Sequence, residues 1–198
     1  MSSITAMAAE ETQMLGLKGV YEIKQWLEST THIRLPFNVY ENQAACTVNC
    51  LNSEVKRFDI YGHLLRKSPV PLVVEAKRYT TPGHQGTEFR KFLAIAYSSI
   101  VKSIKDNGAD DRREFMWVTF HPFSQGDWPD LLSKAYLREA LKVHSGYLAG
   151  EEIDEELIDG MPDRLWVLVY HSKQKSLLLT REELLLAHSV LKREGEGW

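Results

Sequence analysis

The stretch of the chain most able to do chemistry is an apolar run that ends in a carboxylate and an ammonium. Residues 71–77 read Pro-Leu-Val-Val-Glu-Ala-Lys, and Asp59 supplies a second carboxylate shortly before them. Charges at the end of a buried strand cost free energy unless a counter-charge or a ligand is present. Two carboxylates and a backbone carbonyl suit a hard divalent cation such as Mg²⁺, and a nearby lysine can stabilise charge on a phosphate. These residue types therefore indicate metal-assisted phosphodiester hydrolysis.

The Glu-x-Lys pattern is weak by itself, because the chain contains it at residues 22–24, 54–56 and 75–77. The first triplet lies in a predicted helix, where residues two apart do not share a face. The second has no apolar run before it, so the third alone follows a predicted buried strand. The alternative interpretation of Glu75 and Lys77 is an exposed cross-strand ion pair, which contributes little to stability.

Two predicted strands must position these side chains. Residues 71–77 are rich in β-branched side chains, and residues two apart on a strand share a face, which puts Glu75 and Lys77 on the same side. Residues 55–61 alternate as a second strand. The short connection between the two makes them antiparallel neighbours. We therefore expect Asp59 and Glu75 to converge at one edge of the sheet.

The remaining elements follow from hydrophobic periodicity and capping signals. Helices are predicted at residues 8–28, 85–105, 131–144 and 181–193, the last with a capping box formed by Thr180 and Glu183. Further strands are predicted at residues 42–51, 115–120, 164–171 and 176–179. This order predicts an α/β (α+β) fold with a mixed β-sheet flanked by helices.

Composition limits the function classes. The chain of 198 residues fits one domain, and its net charge of −3 provides no strong field toward nucleic acid, although a basic cleft remains compatible with it. Cys46 and Cys50 match neither a disulfide framework nor a zinc site, which favours a reducing compartment. No signal peptide or membrane-spanning stretch is predicted, so we expect a cytoplasmic protein without a membrane partner. The absence of a glycine-rich phosphate loop and of a GxSxG motif argues against nucleotide hydrolases and serine hydrolases.

The arrangement of Asp59 and residues 75–77, on two strands before a long helix, resembles the PD-(D/E)xK, or restriction-endonuclease-like, nuclease superfamily. Residues 58–60 and 73–79 look much like the Mrr-type and archaeal Holliday-junction-resolvase-like branches. The resemblance covers about residues 19–120, and Phe58 stands where the proline of the family name is found in other members. The family's αβββαβ core agrees with the predicted element order.

This resemblance implies a single nuclease-like domain over residues 1–198, with a core at about residues 10–121. Residues from about 122 to 198 would form a C-terminal helix–strand–helix elaboration. The implied metal ligands are Asp59, Glu75, the Ala76 backbone carbonyl and Glu22, and the implied catalytic residues are Asp59, Glu75, Lys77, Glu22 and Gln85. For Glu22 the alternative is a solvated helix residue, and for Gln85 it is a polar residue at a helix N-terminus.

The function that the resemblance implies is a Mg²⁺- or Mn²⁺-dependent endonuclease that acts on DNA. A role in antiviral defence against foreign DNA, in DNA repair or in recombination would fit such a protein. DNA-cleaving members often dimerise because two strands need two sites, so a homodimer or a larger defence or repair complex is expected. Two alternatives stay open: a catalytically silent nuclease-fold subunit that binds nucleic acid or a protein partner, and an RNA nuclease.

Overall fold

The structure is a computed structural model that describes residues 2–79 and 83–191, with side chains from residue 14 onward. Its α-helices are α1 (Ser2–Glu28), α2 (Gln85–Asn107), α3 (Lys134–Val143), α4 (Glu155–Gly160) and α5 (Arg181–Val190). Its strands are β1 (Ile33–Asn38), β2 (Thr47–Asn49), β3 (Val55–Arg57), β4 (Ile60–Leu64), β5 (Val70–Lys77), β6 (Glu114–Thr119) and β7 (Leu165–Val169). Within the described ranges, no helix is long and apolar enough to cross a lipid bilayer.

Five of these strands form one mixed sheet in the order β1-β4-β5-β6-β7. The pairs β1–β4 and β4–β5 are antiparallel, whereas β5–β6 and β6–β7 are parallel. Strands β2 and β3 pair only with each other, as a separate antiparallel hairpin. The predicted mixed sheet flanked by helices is therefore confirmed, and β7, from the C-terminal part of the chain, belongs to the same sheet.

The sheet separates two apolar cores because alternate side chains of each central strand point to opposite faces. On one face α2 packs against the sheet through a core that includes Phe89, Phe92, Val73, Phe115 and Trp117. On the other face α1 packs through a core that includes Val20, Ile23, Leu72, Val74 and Met116. Strand β6 is buried along its whole length, as predicted for a central strand covered on both sides.

Helix α2 is the crossover that allows β5 and β6 to run in parallel. It ends where Gly108 takes a left-handed conformation (φ 72°) and its N–H donates to the Ile104 carbonyl at 2.8 Å. Only glycine adopts this C-terminal geometry without a steric cost. The helix predicted at residues 85–105 is thus confirmed to within one turn.

The predicted single strand at residues 55–61 was wrong, because it is broken at Phe58 and Asp59 into β3 and β4. The backbone changes partners at this point. Phe58 N–H donates to the Cys46 carbonyl at 2.8 Å, on the β2–β3 side, whereas the Asp59 carbonyl accepts from Val39 N–H at 2.9 Å, beyond the end of β1. The weak strand predicted at residues 42–51 is reduced to β2 and lies in the hairpin.

Two further predictions failed for local reasons. Strand β1 was not predicted. It contains Pro36, which is tolerated because β1 is an edge strand with a register shift between Arg34 and Phe37. The short strand at residues 176–179 was wrong, because Ser172–Leu177 is a 3₁₀-helix with a capping box at His171. Residues 192–193 of the predicted last helix lie outside the described residues.

The bulge in β1 leads to a testable prediction about Gly62 in β4. A Cβ atom at Gly62 would lie 2.0 Å from the Arg34 carbonyl oxygen and 2.7 Å from Leu35 Cα, so backbone would have to move. We expect Gly62→Ala to destabilise the protein by at least about 2–3 kcal/mol. Gly160→Ala is the control, because a Cβ there meets nothing within 4 Å. Equal urea midpoints for the two variants would contradict the prediction.

Candidate active site

The break between β3 and β4 places Asp59 at the start of β4, beside the end of β5. The register pairs Ile60 with Val74, so Asp59 lies next to the Glu75–Ala76 segment. One Asp59 carboxylate oxygen, Oδ2, accepts a hydrogen bond from Ala76 N–H at 2.7 Å. The carboxylate is therefore fixed to the backbone of β5, at the sheet edge where the sequence predicted that it would lie.

Glu75 is a buried carboxylate held between two lysines. It is only 4% exposed. Its Oε1 atom lies 2.8 Å from Lys77 Nζ and 2.9 Å from Lys56 Nζ, and its Oε2 atom lies 2.8 Å from Lys56 Nζ. Lys77 Nζ also sits over the Trp117 ring, 5.5 Å from its centroid. This is not the exposed ion pair of the alternative interpretation, because its carboxylate is almost completely withdrawn from water.

The charges of Asp59 and Glu75 interact with each other. Burial, and after it the charge of Glu75, raise the pKa of Asp59 to about 6, although the Ala76 N–H, Lys77 and Lys56 oppose the increase. Burial lowers the pKa of Lys77, but the charge and hydrogen bond of Glu75, together with the charge of Asp59, outweigh it and raise that pKa overall. Lys77 is therefore a fully charged ammonium at neutral pH, next to two carboxylates that repel each other.

The two carboxylates line different cavities at this edge. Glu75 lines a cavity of about 180 Å³ on the α2 side, together with Lys56, Glu88 and Lys91. Asp59 lines a cavity of about 60 Å³ that includes α1, Tyr40 and Arg78. Cavities therefore lie beside Asp59 and Glu75 on both faces of the sheet.

The donor set at this edge is compatible with a divalent cation. Two carboxylates and the Ala76 carbonyl are oxygen ligands of the kind that Mg²⁺ and Mn²⁺ prefer. Glu75 Oε2 is buried and accepts no hydrogen bond of acceptable geometry, although the Lys56 ammonium is nearby. In the described part of the chain, no cluster of three or more His, Cys, Asp or Glu side chains could hold a metal ion. A cation at this edge would therefore depend on two carboxylates, backbone oxygen and water.

Glu22 has a different partner from the one that the resemblance implied. Its side chain is buried on α1, and its Oε1 atom accepts from Lys175 Nζ at 2.6 Å. Burial raises the pKa of Tyr170, and the charge of Glu22 adds to the increase, so Glu22 lies near that phenol. These contacts do not test the predicted role of Glu22 as a metal ligand, but its pairing with Lys175 favours a structural role instead.

Because Glu22 is paired with Lys175, we expect Glu22→Gln to affect stability more than metal binding. The variant should lose about 1 kcal/mol of unfolding free energy and keep its Mn²⁺ affinity within about threefold of wild type. Lys175→Met is the matched variant, and it should be at least as destabilising because it leaves a buried carboxylate unpaired. A tenfold loss of Mn²⁺ affinity in Glu22→Gln alone, measured by calorimetric titration, would instead assign Glu22 to the metal site.

Gln85 is completely buried at the first turn of α2. Its Oε1 atom accepts from Thr119 Oγ1 at 2.6 Å, and its Nε2 atom donates to the His121 carbonyl at 3.2 Å. Thr119 is the register partner of Lys77 on the neighbouring strand. Gln85 therefore anchors the start of α2 to the end of β6, one strand away from Lys77, and a direct role in the site stays a prediction.

Lys56 is the residue of this site that the sequence did not reveal. In a continuous strand over residues 55–61, Lys56 and Asp59 would point to opposite faces. The break at Phe58 removes that constraint and brings Lys56 onto Glu75, with its ammonium 5.3 Å from the centroid of the Phe58 ring. The available signal was the second Glu-x-Lys triplet, at residues 54–56, which had no apolar run to support it.

Comparison with known proteins adds little. No protein-family model matches the chain, and no curated protein matches it. Similar solved chains include the Acinetobacter baumannii Cap4 SAVED/CARF-domain containing receptor with the cyclic trinucleotide 3'3'3'-cAAA (20% identity, TM-score 0.29), covering 73% of this chain and 30% of that chain. The same receptor with the cyclic trinucleotide 2'3'3'-cAAA has 20% identity and a TM-score of 0.31, and the match covers 68% of this chain and 29% of that chain. A further structure of the receptor has 19% identity and a TM-score of 0.30, and the match covers 77% of this chain and 37% of that chain. The chain spans about a third of the length of these solved chains, and similarity this weak supports no conclusion about function.

Proposed function

We propose that this protein is a metal-dependent nuclease that hydrolyses DNA phosphodiester bonds at the edge formed by the start of β4 and the end of β5. The observation that carries the proposal is the meeting of three groups at that edge. Asp59 is fixed to Ala76 N–H, and the buried Glu75 carboxylate is paired with the charged Lys77 ammonium. A carboxyl group whose pKa is shifted by burial and by a second carboxylate, with a lysine beside it, is a combination that functional sites often use.

The element order supports a restriction-endonuclease-like core. Helix α1 is followed by β1, β4 and β5, which are antiparallel neighbours, then by α2 and by β6 in parallel to β5. The β2–β3 hairpin is then an insertion between β1 and β4. With that hairpin set aside, the order is αβββαβ.

Each residue of the edge has a separate role in the proposed reaction. Asp59, Glu75 and the Ala76 carbonyl would hold Mg²⁺ or Mn²⁺. A bound cation of this kind lowers the pKa of a coordinated water and neutralises charge on a phosphate. Lys77 keeps its proton and donates to an oxygen of the scissile phosphate, where negative charge develops. The hydrogen bond from Ala76 N–H keeps Asp59 in position without a change in side-chain conformation.

A catalytically silent, nuclease-fold binding subunit is the second candidate function. The observation that favours it is that two buried carboxylates, Glu22 on α1 and Glu75 on β5, are already paired with lysine side chains of the same chain. Glu75 is paired with Lys56 and Lys77, and Glu22 with Lys175. Such pairs would also keep the edge stable in a protein that only binds nucleic acid or a protein partner.

The test is a cleavage assay with supercoiled plasmid, linear duplex DNA and single-stranded RNA in Mg²⁺, Mn²⁺ or a chelator. The proposal predicts that DNA is cut with either metal and is left intact with the chelator. Glu75→Gln, purified in parallel, controls for contaminating nucleases and should be inactive. Binding of DNA without cleavage under any metal would favour the silent subunit, and cleavage of RNA alone would identify an RNA nuclease.

We further propose that the active form is a homodimer, alone or within a larger defence or repair complex. The reason is chemical, because cutting both strands of a duplex requires two sites. Light scattering on the free and DNA-bound protein would measure the assembly. A monomer in both states that still cuts duplexes in one step would contradict this part of the proposal.

A further inference from the structure

The β2–β3 hairpin carries a second lysine into the proposed site. The hairpin is fixed to the α2 side of the molecule, because Leu51 N–H donates to Ser98 Oγ at 2.9 Å. Tyr147 donates its hydroxyl proton to Glu54 Oε2 at 2.8 Å, which holds the hairpin from the 3₁₀-helix Ser145–Leu148. These two contacts hold the turn between β2 and β3, and Lys56 on β3 then reaches Glu75.

Lys56 and Lys77 contact Glu75 differently. Lys77 comes from the same strand, reaches Oε1 and is stacked over Trp117. Lys56 lies within 2.9 Å of both carboxylate oxygens. A cation that binds Glu75 needs at least one of these oxygens, so it competes mainly with Lys56.

The Lys56 side chain also has space into which it can move away from Glu75. Its side chain is 27% exposed and lines the cavity of about 180 Å³ beside Glu75. A long aliphatic stem with a charged head can move into such a space while its head stays hydrated. Its contact with the Phe58 ring can be kept or lost during this movement at a small cost.

We propose that Lys56 is a built-in counter-ion of Glu75 that a divalent cation must displace, and that the released ammonium then binds a phosphate of the nucleic acid. This inference rests on the proposed function. Asp59, Glu75, Lys56 and Lys77 are formally neutral together, so a divalent cation alone would leave the site with an excess of positive charge. An anionic phosphate backbone removes that excess. Cation and nucleic acid therefore bind with positive coupling, and each raises the affinity of the other by the same factor.

The test is a calorimetric titration of Mn²⁺ into the wild-type protein and into variants, with and without a phosphorothioate duplex that resists cleavage. Without the duplex, Lys56→Met should bind Mn²⁺ about tenfold more tightly than wild type, because the competing ammonium is gone. Lys56→Arg keeps the charge and should bind like wild type. Lys91→Met is the matched control: Lys91 lines the same cavity, so its removal changes the local charge without removing the Lys56–Glu75 pair.

The duplex should raise the Mn²⁺ affinity of wild type by a larger factor than that of Lys56→Met. An affinity gain in Lys91→Met as large as that in Lys56→Met would overturn the proposal, because general charge would then explain both. If Lys56→Met does not fold, wild type decides the question, since a duplex that leaves its Mn²⁺ affinity unchanged also overturns the proposal. Failure of the proposed function gives a different result: no variant binds Mn²⁺, or Glu75→Gln binds it as wild type does.

Discussion

Lys77→Met is expected to slow DNA cleavage by roughly 10²–10³-fold while the protein stays folded. The reason is that the Lys77 ammonium lies 2.8 Å from Glu75 and also interacts with the charge of Asp59, and methionine keeps its aliphatic contacts without the charge. Glu75 retains Lys56 as a partner in this variant, so the cost in stability should be limited to about 1–2 kcal/mol. Single-turnover cleavage of a labelled duplex measures the effect on the chemical step.

The control for Lys77 is Lys102→Met, which removes a lysine that forms an i,i+4 pair with Asp106 on α2. This variant should cleave DNA within about twofold of wild type, since exposed pairs of this kind contribute little. Equal cleavage by Lys77→Met and Lys102→Met would remove Lys77 from the catalytic assignment.

Asp59→Asn is expected to abolish metal-dependent cleavage and at the same time to stabilise the protein in the absence of metal. Asparagine retains an oxygen that can accept the hydrogen bond from Ala76 N–H, so the local backbone is kept. It removes the charge that burial and Glu75 disfavour. Because Asp59 is partly exposed, we expect a gain of only about 1–2 kcal/mol at pH 7. A gain in stability with a loss of activity is typical of functional residues.

The pH dependence of this gain has a definite sign. The pKa of Asp59 is about 6 in the folded protein against an ordinary value of 3.8, so between these values the folded state binds a proton that the unfolded state has released. Wild-type stability therefore falls as pH rises through this window, and the advantage of Asp59→Asn is complete above about pH 6 and absent below about pH 4.

Urea unfolding in the presence of a chelator, at pH 4 and pH 7.5, measures this prediction. Asp106→Asn is a suitable control, because its carboxylate is exposed and paired within one helix. An Asp59→Asn variant that is less stable than wild type at pH 7.5 would show that favourable interactions stabilise the charged Asp59 carboxylate. The repulsion between Asp59 and Glu75 would then not dominate.

The strands and helix that carry the site were predictable because their signals are local. The apolar runs of β5 and β6 and the αL glycine that ends α2 specify these elements without reference to the rest of the chain. The alternation of β5 also placed Glu75 and Lys77 on one face, and the structure confirms it through their direct contact.

Other features depended on tertiary partners that no local pattern reveals. The strand breaks at Phe58 because Phe58 hydrogen-bonds on the β2–β3 side and Asp59 hydrogen-bonds beyond the end of β1. This break determines the position of Lys56. Strand β1 forms despite Pro36 because the edge of the sheet requires hydrogen bonds on one side only. The pairing of Glu22 with Lys175 joins α1 to the 3₁₀-helix Ser172–Leu177, which no local pattern predicted.

The most direct test of the proposed site is a crystal structure of the protein with Mn²⁺ and a phosphorothioate duplex, in which the anomalous signal locates the metal. We predict one Mn²⁺ at the sheet edge, about 2.0–2.2 Å from oxygens of Asp59, Glu75 and the Ala76 carbonyl, with Lys77 directed at the phosphate. Lys56 should have left Glu75. A structure with saturating Mn²⁺ in which Glu75 is still paired with both lysines, and no metal lies at this edge, would contradict the proposed function.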